Sequence, residues 1–378
     1  MANEVDRLVS WRIVAHNLGV KNNAQIISLN THTNILSSTR SKIHFMKIAI
    51  VKLSALGDII HAMVALQFIK KNFPNSTIDW IVEEGFKDIL INNPDINSIH
   101  TVNIKEAKKN KSLKLLFKEL RKLKKLPKYD VVIDTQGLIK SAIVAHLIPA
   151  NKQFGFDKTS LREAFSANFY TDTCHIDYSE NIIKRNAFVI SSALGFNISH
   201  AEILDKKSFL HSNCKNITVF AKNHKPNIAF IPGASFKSKI YPVDKYIQLA
   251  NELDANIIVL WGNEEEKLMA DQIKFGSNNV SISEQLTLDE LKPVIAKMDL
   301  VIGGDTGPTH MAWALNIPSI TLFGSTPGYR NTYMTDVNQV IESNSQVNPY
   351  KIDKNDLSIK DIGVDKIALK AKELLKLV

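Results

Sequence analysis

The chain has 378 residues, of which 47 are Lys or Arg and 38 are Asp or Glu, so its formal net charge is +9. Hydrophobic residues make up 44% and charged residues 22%, which excludes a coiled coil or a mostly disordered chain. At roughly 150 residues per domain, this length predicts about two domains, each with a full core. The two cysteines, Cys174 and Cys214, form no CxxC pair and no disulfide framework, which favours a reducing compartment.

The first 45 residues differ from the rest of the sequence. They are rich in Asn, Ser and Thr without a sustained period, so we interpret 1–45 as a poorly ordered extension or a wrongly assigned start. The alternative is a short docking helix over 5–20. Glu4, Asp6 and Arg7 stand where a signal peptide needs apolar residues, and no apolar run reaches the length of a membrane-spanning helix. We therefore expect a cytoplasmic protein.

From Met46 onward, strand and helix patterns alternate. The apolar run Lys47–Leu53 predicts a strand, Ser54–Asp58 a loop, and Ile59–Asn72 a helix that ends before Pro74. Near-continuous apolar strands separated by helices indicate an α/β fold with parallel sheets covered on both faces. The further predicted strands are Thr77–Val82, Asp130–Asp134, Asn227–Ile231, Asn256–Trp261, Leu300–Gly303 and Ser319–Phe323.

The strands fall into two groups, which predicts two Rossmann-like, doubly wound domains facing a central cleft. The predicted divisions are the extension 1–45, an N-terminal domain 46–210, a polar linker 211–225, a C-terminal domain 226–345 and a helical segment 346–378. The final helix is predicted at about Asp361–Leu377, and the sequence does not assign it to either domain.

One segment, Lys105–Lys128, is strongly basic, with eleven Lys or Arg residues against two Glu. Leu113, Leu116, Leu120 and Leu123 recur within it at helical spacing. A basic amphipathic helix fits an anionic membrane surface. The alternative is a solvated helix whose leucines pack on the sheet. Nucleic acid is disfavoured, because aromatic residues do not alternate with the lysines.

The loop after the first strand carries the first candidate for chemistry, Asp58. In open α/β sheets, ligands collect at the carboxyl ends of the strands, so this loop is expected to face the cleft. Gly57 permits a close approach, and Asp58 stands at the start of a helix, as a catalytic base or merely as an N-cap. The helix N-terminus favours the charged carboxylate, so a base at this position needs partial burial.

A second candidate is the sequence GGDTGPTH at 303–310, between a strand and a helix predicted at Met311–Leu315. Glycines let backbone N–H groups approach a phosphate, and the helix N-terminus supplies positive potential. His310 lies one turn inside and could donate to the same anion. No Walker or GxGxxG pattern is present, and a plain turn capped by Asp305 is the alternative.

Two more loops follow predicted strands of the same domain. Ser235 and Lys239 lie in a small-residue loop that suits a diphosphate, or that is simply basic and exposed. Glu264–Glu266 could bind ribose hydroxyls, or could only favour the start of a helix. Because these loops converge, we expect donor binding in the C-terminal domain and acceptor activation by Asp58. The sequence has no Asp-x-Asp pair and no zinc motif, so we expect no metal and no other cofactor.

Several of these segments resemble the ADP-heptose:lipopolysaccharide heptosyltransferases of glycosyltransferase family 9. They are Lys47–His61, Lys239–Pro242 and GGDTGPTHMAWAL at 303–315. The stretch YDVVIDTQGLIKSA at 129–142 is more similar to heptosyltransferase I than to II, as are Gly155–Asp157, Arg162–Glu163 and Phe169–Tyr170.

The resemblance implies a GT-B fold and transfer of L-glycero-D-manno-heptose from ADP-heptose to Kdo2-lipid A, with inversion, at the cytoplasmic face of the inner membrane. Asp58 matches the catalytic base of the family, and Lys239 matches a lysine that contacts the diphosphate. Ser235 falls where members often carry a hydroxyl. The second diphosphate loop of the family corresponds to Asp305, Thr306, Gly307 and His310.

Other parts of the resemblance are less direct. The ribose-binding glutamate corresponds to Glu264 or Glu266, because the loop here is one residue shorter, and Ala234 replaces a frequent threonine. Gln136 and Lys140 are candidates for contacts to the Kdo carboxylate, although Lys140 could merely flank a helix. The basic helix at 112–126 would reach the membrane. The alternatives are heptosyltransferase II, which uses a monoheptosylated acceptor, and a noncatalytic sugar-nucleotide-binding protein.

Overall fold

The computed structural model describes residues 45–214 and 224–376. The predicted extension 1–45 lies outside the described residues except for Phe45, and so does the central part of the predicted linker 211–225. The structure therefore tests neither of those two predictions.

The first sheet has six parallel strands in the order β3-β2-β1-β4-β5-β6. The register pairs Lys47 with Thr77 on one side of β1 and Ile48 with Val131 on the other. The strand order places the first strand at the centre, as in dinucleotide-binding folds. The strands are β1 (Lys47–Val51), β2 (Thr77–Glu83), β3 (Ser98–Val102), β4 (Tyr129–Asp134), β5 (Ala150–Phe156) and β6 (Asp172–Cys174).

The second sheet repeats this order, β9-β8-β7-β10-β11-β12, again with its first strand inside. The predicted α/β fold with two doubly wound parallel sheets is thus confirmed. We call the parts around the first and second sheets the N-terminal and C-terminal lobes. The strands are β7 (Asn227–Ile231), β8 (Asn256–Val259), β9 (Val280–Ile282), β10 (Leu300–Gly304), β11 (Ser319–Phe323) and β12 (Asn338–Glu342).

Helices connect the strands on both faces of each sheet. Those of the N-terminal lobe are α1 (Leu56–Met63), α2 (Ala65–Asn72), α3 (Ile104–Lys109), α4 (Leu113–Leu123), α5 (Ile139–Leu147), α6 (Ile182–Leu194) and α7 (His200–Leu204). Those that follow are α8 (Val243–Glu252), α9 (Glu264–Phe275), α10 (Leu288–Ile295), α11 (Gly307–Leu315), α12 (Gly328–Asn331) and α13 (Val364–Leu375). Short 3-10 helices lie at Glu84–Ile89, Ala164–Phe169, Lys237–Lys239 and Ser358–Asp361.

Two predicted helix boundaries were wrong. The predicted helix Ile59–Asn72 is two helices that meet at Val64, and it begins at Leu56 because the Ala55 carbonyl already accepts from the Ile59 N–H. Likewise α11 begins at Gly307 rather than at Met311, since proline is tolerated in the first turn of a helix. Both helices therefore start closer to the strand ends than predicted.

The two lobes share one continuous apolar core at the helices α1 and α11. A Cβ atom added to Gly57 would lie 2.8 Å from the His310 ring, and one added to Gly307 would lie 2.4 Å from the Leu56 side chain. His61 contacts the His310 ring at 4.4 Å between centroids. Burial, together with the charge of His310, holds the pKa of His61 well below its usual range. The lobes are thus in close contact directly beside the strand ends.

The last helix among the described residues is α13. Ile367 and Leu374 of α13 are buried in the same apolar cluster as Tyr246 and Leu249 of α8. This contact places the final helix on the C-terminal lobe, a point that the sequence left open.

Candidate active site

A cavity of about 390 Å³ lies between the lobes, at the carboxyl ends of the central strands. This is where ligands collect in open α/β sheets. Of the predicted site residues, the cavity brings together those of both lobes: Asp58, Ser235, Lys239, Asp305, Thr306, Gly307 and His310.

Asp58 is the third residue of α1 and is half-buried in the cavity wall. Its Oδ2 accepts a hydrogen bond from the Ala55 N–H at 3.3 Å. Ala55 itself is the N-cap, so Asp58 completes the cap with one carboxylate oxygen while the side chain still lines the cavity. The alternative that Asp58 is merely an N-cap is therefore wrong. Its role as a base stays a prediction, and the partial burial that such a base needs is present.

Lys52 lies behind Asp58, at the end of β1, and sequence reasoning missed it. It is almost fully buried, and its ammonium donates to the Thr135 carbonyl at 2.9 Å and to Asn186 Oδ1 at 3.4 Å. Burial lowers the pKa of Lys52, while the nearby carboxylates of Asp58 and Asp134 oppose that shift. The sequence could have indicated Lys52, because it is a lysine within the apolar run Lys47–Leu53.

Gln136 and Lys140 support the loop that leads to Asp58. Gln136 Oε1 accepts from the backbone N–H groups of Leu53 at 2.8 Å and Ser54 at 3.3 Å. Lys140 donates to the Ser54 hydroxyl at 2.9 Å. Among the described residues that line the cavity, neither side chain is found. Their predicted contact with the acceptor therefore stays a prediction, and the structure instead gives them a positioning role.

Asp305 is the centre of a cluster of polar side chains on the C-terminal lobe, which we call the Asp305 cluster. Its carboxylate, with only 8% of the side chain exposed, accepts from Lys239 Nζ at 2.6 Å and lies 3.0 Å from His310 Nε2. Thr326 Oγ1 donates to it at 2.9 Å and Asn331 Nδ2 at 3.3 Å. Every partner belongs to the C-terminal lobe.

The charge of Asp305 follows from these contacts. Burial alone would raise the pKa of Asp305, but the Lys239 charge and the His310 hydrogen bond outweigh it and hold the pKa well below its usual range. An ionised carboxylate repels phosphate oxygens. Asp305 holds Lys239 and His310 in place, and its predicted contact with the donor diphosphate stays a prediction.

The N-terminus of α11 lies in the same wall of the cavity. Thr306 is its N-cap and Gly307 its first residue, and both line the cavity. The first-turn N–H groups of a helix have no partner within the helix and carry the positive end of its dipole. Together with Lys239 and the exposed Ser235, this end of the helix can bind an anion.

The two candidate glutamates differ in their surroundings. Glu266 Oε2 accepts from the Gly262 N–H at 2.7 Å, and its carboxylate packs against Gly233, where an added Cβ would lie 2.2 Å from Oε1. Glu264 is the first residue of α9 and is exposed. Glu266 thus borders the loop that carries Ser235, but the assignment of the ribose contact to either residue stays a prediction.

The further cavity-lining side chains to which the sequence assigned no role include two arginines and two tyrosines: Arg162, Tyr178, Arg330 and Tyr350. Arg330 follows β11, a strand that was predicted, so the strand-end rule used for the other loops would have found it. Tyr350 lies in the segment after β12, and its ring stacks on that of Tyr178 with the ring centroids 5.2 Å apart. No strand pattern precedes it, so its position depends on tertiary structure alone.

The described residues contain neither a metal-binding cluster nor a helix that could span a membrane. Within 45–214 and 224–376, no group of three or more His, Cys, Asp or Glu side chains is arranged to hold a metal ion. None of the helices described in that part of the chain combines the length and the apolar character needed to cross a bilayer.

Comparison with known proteins agrees with this architecture. The model of glycosyltransferase family 9 (heptosyltransferase) matches residues 116–357. Lipopolysaccharide heptosyltransferase 1 of Campylobacter coli is 39% identical over 348 residues, which cover 87% of this chain and 99% of the relative. The protein of the same name from Pseudomonas aeruginosa is 29% identical over 76% of this chain and 81% of its own length.

Solved structures show the same fold. E. coli heptosyltransferase WaaC with ADP superposes with a TM-score of 0.71 at 24% identity, over 87% of this chain and all of that chain. E. coli ADP-heptose lps heptosyltransferase II gives 0.64 at 19% identity, over 88% and 99%. These structures share the two-lobed GT-B architecture. Because the family model spans parts of both lobes and a relative matches along nearly its whole length, this chain belongs to glycosyltransferase family 9 and is a glycosyltransferase.

Proposed function

We propose that this enzyme is a lipopolysaccharide heptosyltransferase I, which moves L-glycero-D-manno-heptose from ADP-heptose to Kdo2-lipid A with inversion. One observation carries the proposal: a half-buried carboxylate of one lobe, Asp58, shares a cavity with the Lys239–Asp305 pair of the other lobe. The relatives named heptosyltransferase 1, at 39% and 29% identity, support the acceptor assignment. The similar structure of E. coli heptosyltransferase WaaC with ADP-2-deoxy-2-fluoro heptose supports the donor.

In the proposed reaction, Asp58 takes the proton of the acceptor hydroxyl as its oxygen attacks the anomeric carbon of the heptose. The bond between that carbon and the diphosphate oxygen breaks, and its electron pair leaves with ADP. A positioned general base typically contributes ~10²–10⁴-fold to the rate. Asp305 cannot take this role, because its oxygens are occupied by Lys239, His310 and Thr326.

The charge that develops on ADP is stabilised from the C-terminal lobe. Lys239 and the first-turn N–H groups of α11 supply positive potential, held in place before the reaction begins. His310 lines the same wall, fixed through its Nε2 by Asp305. We propose that these groups suffice without a divalent cation.

The test is transfer by the purified protein from ADP-heptose to Kdo2-lipid A, followed by the mass of the acceptor. A gain of one heptose supports heptosyltransferase I. Transfer only to a monoheptosylated acceptor would assign heptosyltransferase II instead. ADP binding without transfer to either acceptor would favour a noncatalytic sugar-nucleotide-binding protein.

We further propose that α4 docks this enzyme on an anionic membrane surface, at the cytoplasmic face of the inner membrane. Leu120 and Leu123 are buried and fix the helix to the lobe, whereas Leu113 is 61% and Leu115 39% exposed. The exposed face, which we call the basic helix surface, combines these leucines with Phe117, Lys114, Lys118, Arg121, Lys122 and Lys125. Exposed apolar side chains among lysines are typical of interfacial helices, and the proposed acceptor is a membrane lipid.

A further inference from the structure

Arg330 is a cation that lines the cavity and has no part in the mechanism proposed above. It belongs to α12, the short helix that follows β11, and it faces the same cavity as Asp58 and Lys239. The same loop supplies Thr326 and Asn331 to the Asp305 carboxylate. Arg330 is therefore next to the Asp305 cluster along the chain and contacts one of its members, Asn331.

The guanidinium is held in place by Tyr178 of the other lobe and by Asn331 of its own helix. Its Nε donates to the Tyr178 carbonyl at 3.1 Å, its Nη1 donates to Asn331 Oδ1 at 3.3 Å, and its centre lies 4.6 Å from the Tyr178 ring centroid. Asn181 also holds the backbone on both sides, donating to the Tyr329 carbonyl at 2.8 Å and the Thr332 carbonyl at 2.7 Å. A preorganised guanidinium loses little freedom when it binds a ligand.

Its charge is not neutralised within the described structure. No carboxylate of residues 45–214 or 224–376 forms an ion pair with Arg330, while Lys239 is paired with Asp305 at 2.6 Å. The Lys239–Asp305 pair together carries no net charge. A diphosphate bound beside the Lys239–Asp305 pair would therefore be attracted mainly by the positive charge of Arg330, which no carboxylate of the described residues pairs with.

We infer that Arg330 binds a nonbridging oxygen of the donor diphosphate and stabilises the charge that ADP gains as it leaves, an inference that rests on the proposed function. Arg330 only donates hydrogen bonds. The acceptor oxygen forms the new bond, the anomeric carbon releases the diphosphate, the electron pair goes to ADP, and the acceptor proton goes to Asp58. Planar guanidinium groups bind phosphate oxygens with paired, charge-assisted hydrogen bonds.

The test is ADP binding by calorimetry in the full chain, with Arg330→Gln and Arg330→Lys beside the wild type. We expect Arg330→Gln to weaken ADP binding by roughly 10- to 100-fold, the range of a hydrogen bond to a charged group, and Arg330→Lys to weaken it less. Lys184→Gln is the matched control, because it removes an exposed cation that pairs with Glu180 outside the cavity. It should bind ADP as the wild type does.

Each other outcome has a distinct meaning. Equal ADP affinity in the wild type and Arg330→Gln would overturn the inference. So would unchanged ADP affinity with a raised KM for the acceptor, which would place the guanidinium on the acceptor side. A lower unfolding temperature with unchanged ADP affinity would show that Arg330 only joins the lobes. Failure of the wild type to bind ADP would instead contradict the proposed function.

Discussion

Asp58 and Asp305 line one cavity, but their surroundings separate their chemistry. Asp58 has one hydrogen bond from the backbone and is half-buried. Asp305 is buried, and its two oxygens form hydrogen bonds with four side chains: Lys239, His310, Thr326 and Asn331. A base needs an oxygen that can accept a proton from substrate, whereas a positioning carboxylate needs all its partners fixed. The two residues meet these opposite requirements.

The variant Asp58→Asn tests the proposed base. The amide keeps an oxygen for the Ala55 N–H but cannot take a proton, so we expect transfer to fall by ~10²–10⁴-fold while ADP affinity stays as in the wild type. Initial rates with ADP-heptose and calorimetry with ADP measure the two quantities. If ADP binding is lost as well, Asp58 belongs to the architecture of the cavity rather than to the reaction.

Asp305→Asn tests the buried pair through stability. Removing one partner leaves the Lys239 charge uncompensated, which costs about 3–5 kcal/mol for a buried pair. Because folding lowers the pKa of Asp305, its contribution is present at pH values above its unfolded pKa of 3.8 and is lost as the pH falls below that value.

The measurement is the difference in unfolding temperature between wild type and Asp305→Asn across pH. We expect it to be constant between pH 7 and pH 5 and to shrink only below about pH 4. A difference that already shrinks between pH 7 and pH 5 would contradict an ionised Asp305 with a lowered pKa.

At the scale of elements, the central strands were the easiest part to predict. β1, β7, β10 and β11 are continuous apolar runs because they are covered on both faces. The missed strands β3, β6, β9 and β12 lie at sheet edges, whereas β5 lies inside its sheet but begins with four partly or fully exposed residues. An edge strand is short and partly exposed, so its sequence does not need to be a continuous apolar run.

The same limit applies to the site. Strand-end loops led to Asp58, Lys239 and His310 because those loops follow strong strand patterns. Gln136 also follows a strand, yet its side chain binds the adjacent loop, since position in the chain does not fix the direction of a side chain. Tyr178 follows only the weak strand β6, and its contact with Tyr350 joins segments far apart in the sequence.

The basic helix surface makes a prediction at this scale. The double variant Lys118→Glu, Arg121→Glu should weaken binding to vesicles that contain anionic phosphatidylglycerol, because each basic residue near a charged bilayer contributes about 1 kcal/mol. Wild-type binding should fall with added salt, and neutral phosphatidylcholine vesicles should bind weakly. Cosedimentation measures each case.

Lys370→Glu provides the control, since Lys370 lies on α13 of the other lobe and pairs with Glu373. It should leave vesicle binding unchanged. If the double variant and the wild type bind anionic vesicles equally well, α4 is instead a solvated helix packed on its sheet.

For the whole molecule, the relevant feature is the close approach of the lobes at Gly57. Gly57→Ala would place a Cβ 2.8 Å from the buried His310 ring, so the ring or the lobes must shift. Misplacement by about 1 Å can cost 10²-fold in rate, and we expect kcat to fall by about 10- to 100-fold. Gly85→Ala is a matched control, because nothing lies within 4 Å of its added Cβ.

Steady-state rates and unfolding temperatures of the two alanine variants check this prediction. Rates within twofold of the wild type for Gly57→Ala would show that the lobes accommodate a methyl group at their contact without disturbing the site. A similar loss for Gly85→Ala would attribute the effect to the substitution of glycine in general.

The Asp305 cluster takes every member from the C-terminal lobe. The C-terminal lobe therefore balances the charge of this cluster by itself. Substitutions in the N-terminal lobe would leave Lys239 paired, provided that they spare the contact between α1 and α11.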